Sequence, residues 1–170
     1  MRTIILVGFP GSGKSTVGKR LASRLSLPFY DTDFCFSQKF HISIPEFFLK
    51  YGEEFFRICE NEVLKELLQL PPCVISVGGG TPCHRSAMNL MNERAVTIYL
   101  KMSTQSLFDR LSHSKKERPL IAGKSSEALM EYIEKTLAQR EFFYNQAQIC
   151  VKGENINVDA LVETLRQIGL

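Results

Sequence analysis

The chain has 170 residues, 44% of them hydrophobic and 23% charged, with 21 Lys and Arg against 18 Asp and Glu for a net charge of +3. That length supports one domain with a real core and not two full ones, and the composition is that of a soluble globular protein rather than a disordered or collagenous one. No block of like charge predicts a nucleic-acid partner, and no apolar run approaches the length of a membrane span.

Five cysteines, Cys35, Cys59, Cys73, Cys83 and Cys150, stand at irregular spacings without a C-x-x-C pair. An odd, scattered set argues against a disulfide framework or a zinc site, and reduced thiols in a cytosol are the simplest account. The residues before Gly8 carry one Arg and too few apolar positions for a signal peptide. A cytoplasmic monomer is expected.

In chain order, Thr3 to Val7 is an aliphatic and β-branched run suited to a strand buried on both faces. Gly8-Phe9-Pro10-Gly11-Ser12-Gly13-Lys14-Ser15-Thr16 follows and fits G-x-x-x-x-G-K-[ST]. From Val17 to Leu25, apolar Val17, Leu21 and Leu25 recur every four residues, as on a helix packed against a sheet. Strand, glycine turn and helix are the context in which this motif binds phosphate. The glycines let the backbone approach a polyphosphate, and successive N–H groups make an anion nest at a helix N-terminus. Lys14 then reaches the β- and γ-phosphates, and the Ser15 hydroxyl can ligate Mg²⁺.

Leu27 to Tyr30 reads as a short strand ending at Asp31-Thr32-Asp33, followed by a helical turn or two over Phe34–Phe40. Ser43 and Pro45 suit a helix start. The clearest helix runs from Glu53 to Leu70, with Phe56, Cys59, Val63, Leu67 and Leu70 on one face and Arg57, Glu60 and Asn61 largely elsewhere. Pro71-Pro72 ends it. Cys73 to Val77 is a buried strand running into Gly78-Gly79-Gly80, Ser86–Glu93 a helix, Ala95–Leu100 a strand, and Thr104–Leu111 a helix capped by Ser103 or Thr104. Residues 112–124 are polar and long for a connection, the profile of a functional loop. Ser125–Gln146 is helical, Ile149–Val151 is a last strand, and Val158–Ile168 a last helix. This alternation predicts an α/β fold with a five-stranded parallel sheet between two helical layers.

In such folds ligands bind beyond the carboxyl ends of the strands. Three strand exits carry unusual residues: the P-loop, Asp31/Asp33 and the glycine triplet. Asp31 and Asp33 can face the P-loop mouth, one toward hydrated Mg²⁺ and the other toward an acceptor hydroxyl, or they can cap the following helix. Three consecutive glycines suit a backbone that passes close to a ligand, or a tight turn. Arg57 and Glu60, three apart on one helix, read by spacing alone as a surface pair. Arg118-Pro119 in the polar loop reads as a lid arginine able to swing over the phosphates. Arg140 can be a helix-surface charge or part of the site. His41, His84 and His113 have no partner spacing and are read as non-catalytic. The cysteines are read as core or incidental, although Cys35 and Cys83 flank the expected site.

Taken together these pieces resemble the shikimate kinases, within the nucleoside-monophosphate-kinase-like group of P-loop proteins. The resemblance runs from Gly8 to about Val151 and rests on the P-loop, D-T-D at 31–33, G-E-E-F-F-R-x-x-E from Gly52 to Glu60, G-G-G at 78–80, R-P-L at 118–120 and R-x-x-x-Y from Arg140 to Tyr144. It implies a three-layer P-loop NTPase fold in a single kinase domain, with a substrate-binding helical segment over about 33–61 and a lid over about 112–124. It implies transfer of the ATP γ-phosphate to the 3-hydroxyl of shikimate, with Mg²⁺, in chorismate and aromatic amino acid biosynthesis. Asp33 would take the hydroxyl proton, with Lys14 and Arg118 assisting transfer. Gly11, Ser12, Gly13, Lys14, Ser15, Thr16, Arg110 and Arg118 would serve ATP, Arg110 by stacking on adenine. Ser15 and Asp31 would serve the metal. Asp33, Arg57, Arg140 and the Gly79–Gly80 backbone would hold shikimate, with Glu60 orienting Arg57. A gluconate-type kinase and a non-catalytic nucleotide- or shikimate-binding regulator are the alternatives. The chain departs from the family at Phe34-Cys35-Phe36, at His41 in place of glycine, and at Lys152-Gly153-Glu154.

Overall fold

The computed structural model describes residues 2–114 and 123–169. Its sheet contains β1 (Ile4–Val7), β2 (Phe29–Asp31), β3 (Val74–Ser76), β4 (Val96–Lys101) and β5 (Ile149–Lys152), ordered β2-β3-β1-β4-β5 with every neighbouring pair parallel. Between and after the strands run α1 (Lys14–Leu25), α2 (Thr32–Phe40), α3 (Ile44–Leu67), α4 (Ala87–Arg94), α5 (Thr104–Ser112), α6 (Ser126–Tyr144) and α7 (Val158–Gln167). The predicted three-layer α/β arrangement is found.

β1 explains the layers. All four of its residues are buried, which is why its sequence is continuously apolar rather than alternating. Ile4 and Leu6 point into a core shared with Val17 and Leu21 of α1 and Leu161 and Leu165 of α7. Ile5 and Val7 point into the opposite, larger core with residues of α2 to α6. Helices therefore cover both faces. The strands following β1 in the sheet lie on either side of it, β3 on one and β4 on the other, so the P-loop leaves the sheet where the strand order reverses. That switch point is where an open α/β sheet leaves a crevice for ligands.

Several boundaries differ from the sequence reading. The Glu53–Leu70 helix is the second half of α3, which begins at Ile44. Ser43 caps it through a reciprocal box with Glu46, an arrangement typically worth about 1 kcal/mol. The two halves meet at Gly52, whose φ of 80° and ψ of 168° are not helical, and that break interrupts the periodicity. Leu70 lies beyond the helix end and is exposed. Glu60 is buried rather than on an outer face. A short 3-10 turn at Thr81–Cys83 is too brief for any period to reveal.

Two of the departures from the family pattern have a structural counterpart. His41 ends α2 at φ 54°, a left-handed conformation that costs a side-chain-bearing residue about 1–2 kcal/mol and that glycine adopts freely. In the Phe34-Cys35-Phe36 stretch, Phe36 is buried against Phe47 and Phe56 with ring centroids 4.9 Å away in each case, fastening α2 to α3. Phe34 is exposed.

Candidate active site

The P-loop connects β1 to α1 with Gly11 and Gly13 at φ 89° and 94°. These left-handed positions turn the chain so that α1 begins at Lys14 directly behind the loop. Lys14 is buried, and its ammonium donates to the carbonyls of Gly8 at 2.8 Å and Phe9 at 3.0 Å. Ser12 is buried within the loop, and its hydroxyl has no hydrogen-bond partner among the described residues. Ser15 and Thr16 occupy the exposed first turn of α1.

Asp31 serves two purposes at the exit of β2. Its Oδ1 accepts from the N–H groups of Asp33 at 3.1 Å and Phe34 at 3.4 Å, capping α2, while its Oδ2 accepts from the Ser15 hydroxyl at 2.6 Å. One oxygen therefore caps α2 while the other reaches the P-loop through Ser15. Ser76 at the end of β3 brings its hydroxyl to 3.4 Å from that of Ser15. The result is a cluster of hard oxygen donors at the sheet's carboxyl edge, of the kind that suits Mg²⁺. Asp33 is exposed in the first turn of α2.

The glycine triplet is the junction of the site. A Cβ on Gly79 would stand 2.5 Å from Pro10 Cδ of the P-loop, and one on Gly80 would stand 2.7 Å from an Arg57 guanidinium nitrogen. Both contacts are too close for a side chain, so the triplet's composition follows from its neighbours. The turn is also fixed by hydroxyls that the sequence reading did not assign. Thr32 accepts from the Gly78 N–H at 3.1 Å, and the Tyr144 hydroxyl donates to the Gly79 carbonyl at 2.5 Å. Thr32 lies inside D-T-D and Tyr144 inside R-x-x-x-Y, which was the available signal for both.

Arg57 is held by Glu60 at 2.8 Å on its inner side and by Glu53 at 3.1 Å on its outer side. The Arg57 and Glu60 side chains are only 12% and 7% exposed, so the surface-pair reading of their spacing is overturned. Arg140 on α6 places its guanidinium carbon 6.0 Å from the Phe9 ring centroid, near the other flank of the P-loop. Both arginines act on the segment after the glycine turn. Burial pushes the Cys83 thiol above its ordinary range, against the opposing influence of Arg140 and Arg57. Burial also lowers the His84 imidazole, with Arg57 and Arg140 adding to the effect and Glu53 and Glu60 opposing it. Cys35 is raised by burial and then by Asp31. Burial thus disfavours the thiolate form at both flanking cysteines.

Arg110 on α5 donates to the Ser12 carbonyl at 3.1 Å and lies 3.5 Å from that of Gly11, so its guanidinium rests along the P-loop backbone. Glu154 accepts from the Ser103 N–H at 3.0 Å, and Gly153 donates to the Lys101 carbonyl at 2.7 Å, which ties the β5 exit to the start of α5. Arg118 and most of the predicted lid lie outside the described residues. Among the described residues no helix is long and apolar enough to cross a membrane, and no group of three or more His, Cys, Asp or Glu side chains could hold a metal.

The relatives of this chain agree with the resemblance seen in its sequence. A family model described as shikimate kinase matches residues 10–168. A shikimate kinase of Flavobacterium johnsoniae is 40% identical over 170 residues, covering 99% of each chain. The crystal structure of a shikimate kinase from Bacteroides thetaiotaomicron superposes with a TM-score of 0.91 at 36% identity, covering 98% of this chain and 97% of that one. A shikimate kinase from Acinetobacter baumannii, solved in complex with shikimate, gives 0.84 at 29% identity over 99% of this chain and 92% of its own. With the P-loop, D-T-D, buried Arg57–Glu60 pair and glycine turn assembled at one sheet edge, and a family match spanning nearly the whole sequence, this chain belongs to the shikimate kinase family.

Proposed function

We propose that the chain is an ATP-dependent kinase that moves the γ-phosphoryl group of ATP to the 3-hydroxyl of shikimate, giving shikimate 3-phosphate and ADP. The observation that carries this reading is the glycine turn itself. It touches the P-loop through Gly79 and the buried Arg57 through Gly80, so the phosphate donor and an anionic acceptor would be held against one rigid segment.

Each residue then has a task. Gly11, Ser12, Gly13, Lys14, Ser15 and Thr16 hold the triphosphate through backbone N–H groups, hydroxyls and the ammonium. The Ser12 hydroxyl, buried without a partner among the described residues, is of the kind that a phosphate oxygen satisfies. Ser15 and Asp31, 2.6 Å apart, would hold Mg²⁺. When bound, that ion neutralises charge on the β- and γ-phosphates. Planar guanidinium groups bind carboxylates in bidentate fashion, so Arg57 and Arg140 take the shikimate carboxylate and leave the ring hydroxyls toward the P-loop. Asp33 accepts the 3-hydroxyl proton as that oxygen bonds to the γ-phosphorus and the bond to the ADP oxygen breaks. Arg110 contacts the nucleotide, and Arg118 is assigned to the phosphates on its place in R-P-L alone.

Transfer of this kind is dominated by alignment and charge neutralisation. The unit acts as one kinase domain over residues 1–170, with 33–61 forming the acceptor side, while the expected lid at 112–124 falls largely outside the described residues. It is a monomer of the cytosol, a setting compatible with its five free cysteines. The direct test of Asp33 is Asp33→Asn, which should cut kcat by about 10²-fold or more if the carboxylate is a general base. A near-wild-type kcat would remove that role.

A further inference from the structure

Glu60 is 6% exposed, and an ionised carboxylate so far from water needs its oxygens occupied. One oxygen, Oε2, accepts from Arg57 at 2.8 Å. The other, Oε1, accepts from the Thr81 hydroxyl at 2.6 Å. Thr81 is 2% exposed and belongs to a different part of the chain, the 3-10 turn that follows the glycine triplet. Its own N–H donates to the Gly78 carbonyl at 3.1 Å, and Pro82 stands next in the turn. The hydroxyl is therefore supplied by a segment whose backbone is fixed independently of α3.

Arg57 has a second carboxylate neighbour in Glu53, but that side chain is 59% exposed. Exposed partners of this kind fix a guanidinium weakly, so of the two carboxylates the buried one is the firmer hold on Arg57. A Cβ on Gly78 would lie 3.0 Å from the Thr81 hydroxyl, 3.3 Å from Glu60 Oε1 and 2.9 Å from an Asp33 oxygen. The acceptor-side carboxylate and the arginine clamp thus meet across one glycine.

We propose that Thr81 is a positioning residue, whose hydroxyl locks the Glu60 carboxylate so that Arg57 is presented to the acceptor's carboxylate in fixed geometry. This rests on the assignment of Arg57 to that carboxylate. Without the hydroxyl, Glu60 keeps one unsatisfied oxygen in a buried place. It then rotates toward another donor, and Arg57 loses its anchor. The methyl group of Thr81 has no part in this.

The test compares steady-state kinetics of the full chain carrying Thr81→Val, Thr81→Ser and Arg57→Ala, with Thr81→Ala in parallel should the valine variant fail to accumulate. Thr81→Val should raise the KM for shikimate about tenfold, the scale of leaving one buried acceptor unsatisfied. The KM for ATP should be unchanged and kcat should stay within about twofold, the pattern of lost ground-state binding. Thr81→Ser should restore the shikimate KM. An unchanged shikimate KM in the valine and alanine variants would overturn the proposal, as would a serine variant as weak as valine or an equal rise in the KM for ATP. If Arg57→Ala also leaves the shikimate KM unchanged, the carboxylate assignment falls with it. If Arg57→Ala raises that KM and Thr81→Val does not, only the positioning role falls.

Discussion

The Tyr144 hydroxyl donates to the carbonyl of Gly79 at 2.5 Å, joining the end of α6 to the glycine turn that lies between the P-loop and Arg57. Tyr144 is fully buried and packs on Tyr99 with ring centroids 5.2 Å apart. It also lies one helical turn beyond Arg140, so a single helix end sets both the glycine turn and one of the two proposed carboxylate ligands. Tyr144→Phe keeps the ring packing and leaves the Gly79 carbonyl without this donor. Urea denaturation should show a loss of about 1 kcal/mol, the net contribution of an ordinary intramolecular hydrogen bond, and the KM for shikimate should rise more than that for ATP. A variant as stable as the parent would mean that the hydroxyl contributes nothing to holding the turn.

Asp31 allows a cleaner separation of roles. Asn caps helices about as well as Asp, so Asp31→Asn should retain the α2 cap and the melting temperature. It removes the negative charge beside Ser15, and activity should then require several-fold more Mg²⁺, roughly the effect of taking one carboxylate from a hard-cation site. A Mg²⁺ titration at saturating ATP checks this. An unchanged Mg²⁺ requirement would leave Asp31 as a helix cap only.

His84 predicts a pH dependence of stability. Burial, then Arg57, holds its imidazole below the ordinary value of 6.5, with Arg140 acting in the same direction and Glu53 and Glu60 against it. Its folded pKa is lower than its unfolded one, so the neutral form belongs to the fold. The contribution is full above pH 6.5 and is lost as pH falls through that value toward the folded pKa. Glu46, Glu62 and Glu131, whose carboxyls lie below their ordinary 4.5, act only at lower pH. The melting temperature should therefore fall between about pH 7 and 5 in the parent and fall less in His84→Gln. Parallel curves for the two proteins would contradict this.

The fold was legible in the sequence because its signals are local. β1 is an unbroken aliphatic run, α1 has apolar residues four apart, and Pro71-Pro72 stops a helix. The kink at Gly52 was not legible as a join, since one residue out of register looks like a start. The site was readable where a residue type has few other uses: Lys14 in its glycine loop, the glycine triplet, D-T-D. It was unreadable where the function of a residue depends on a distant partner. Spacing assigned Glu60 to the surface because nothing near it in sequence reveals Thr81, 21 residues on, arriving from another element. Spacing supplied the pairing of Glu60 with Arg57, the resemblance supplied its orienting role, and geometry supplied the hydroxyl behind it. Tyr144 was visible as part of a motif but carried no role until its bond to Gly79 was seen.

The central claim concerns the acceptor, and the measurement that addresses it most directly is coupled ADP release with the purified full chain, ATP and Mg²⁺. Three arms are needed: shikimate, gluconate and no acceptor. ADP release that depends on shikimate, with the gluconate arm equal to the acceptor-free background, is the predicted result. Turnover driven by gluconate, or binding of ATP and shikimate with no ADP release above background, would contradict it.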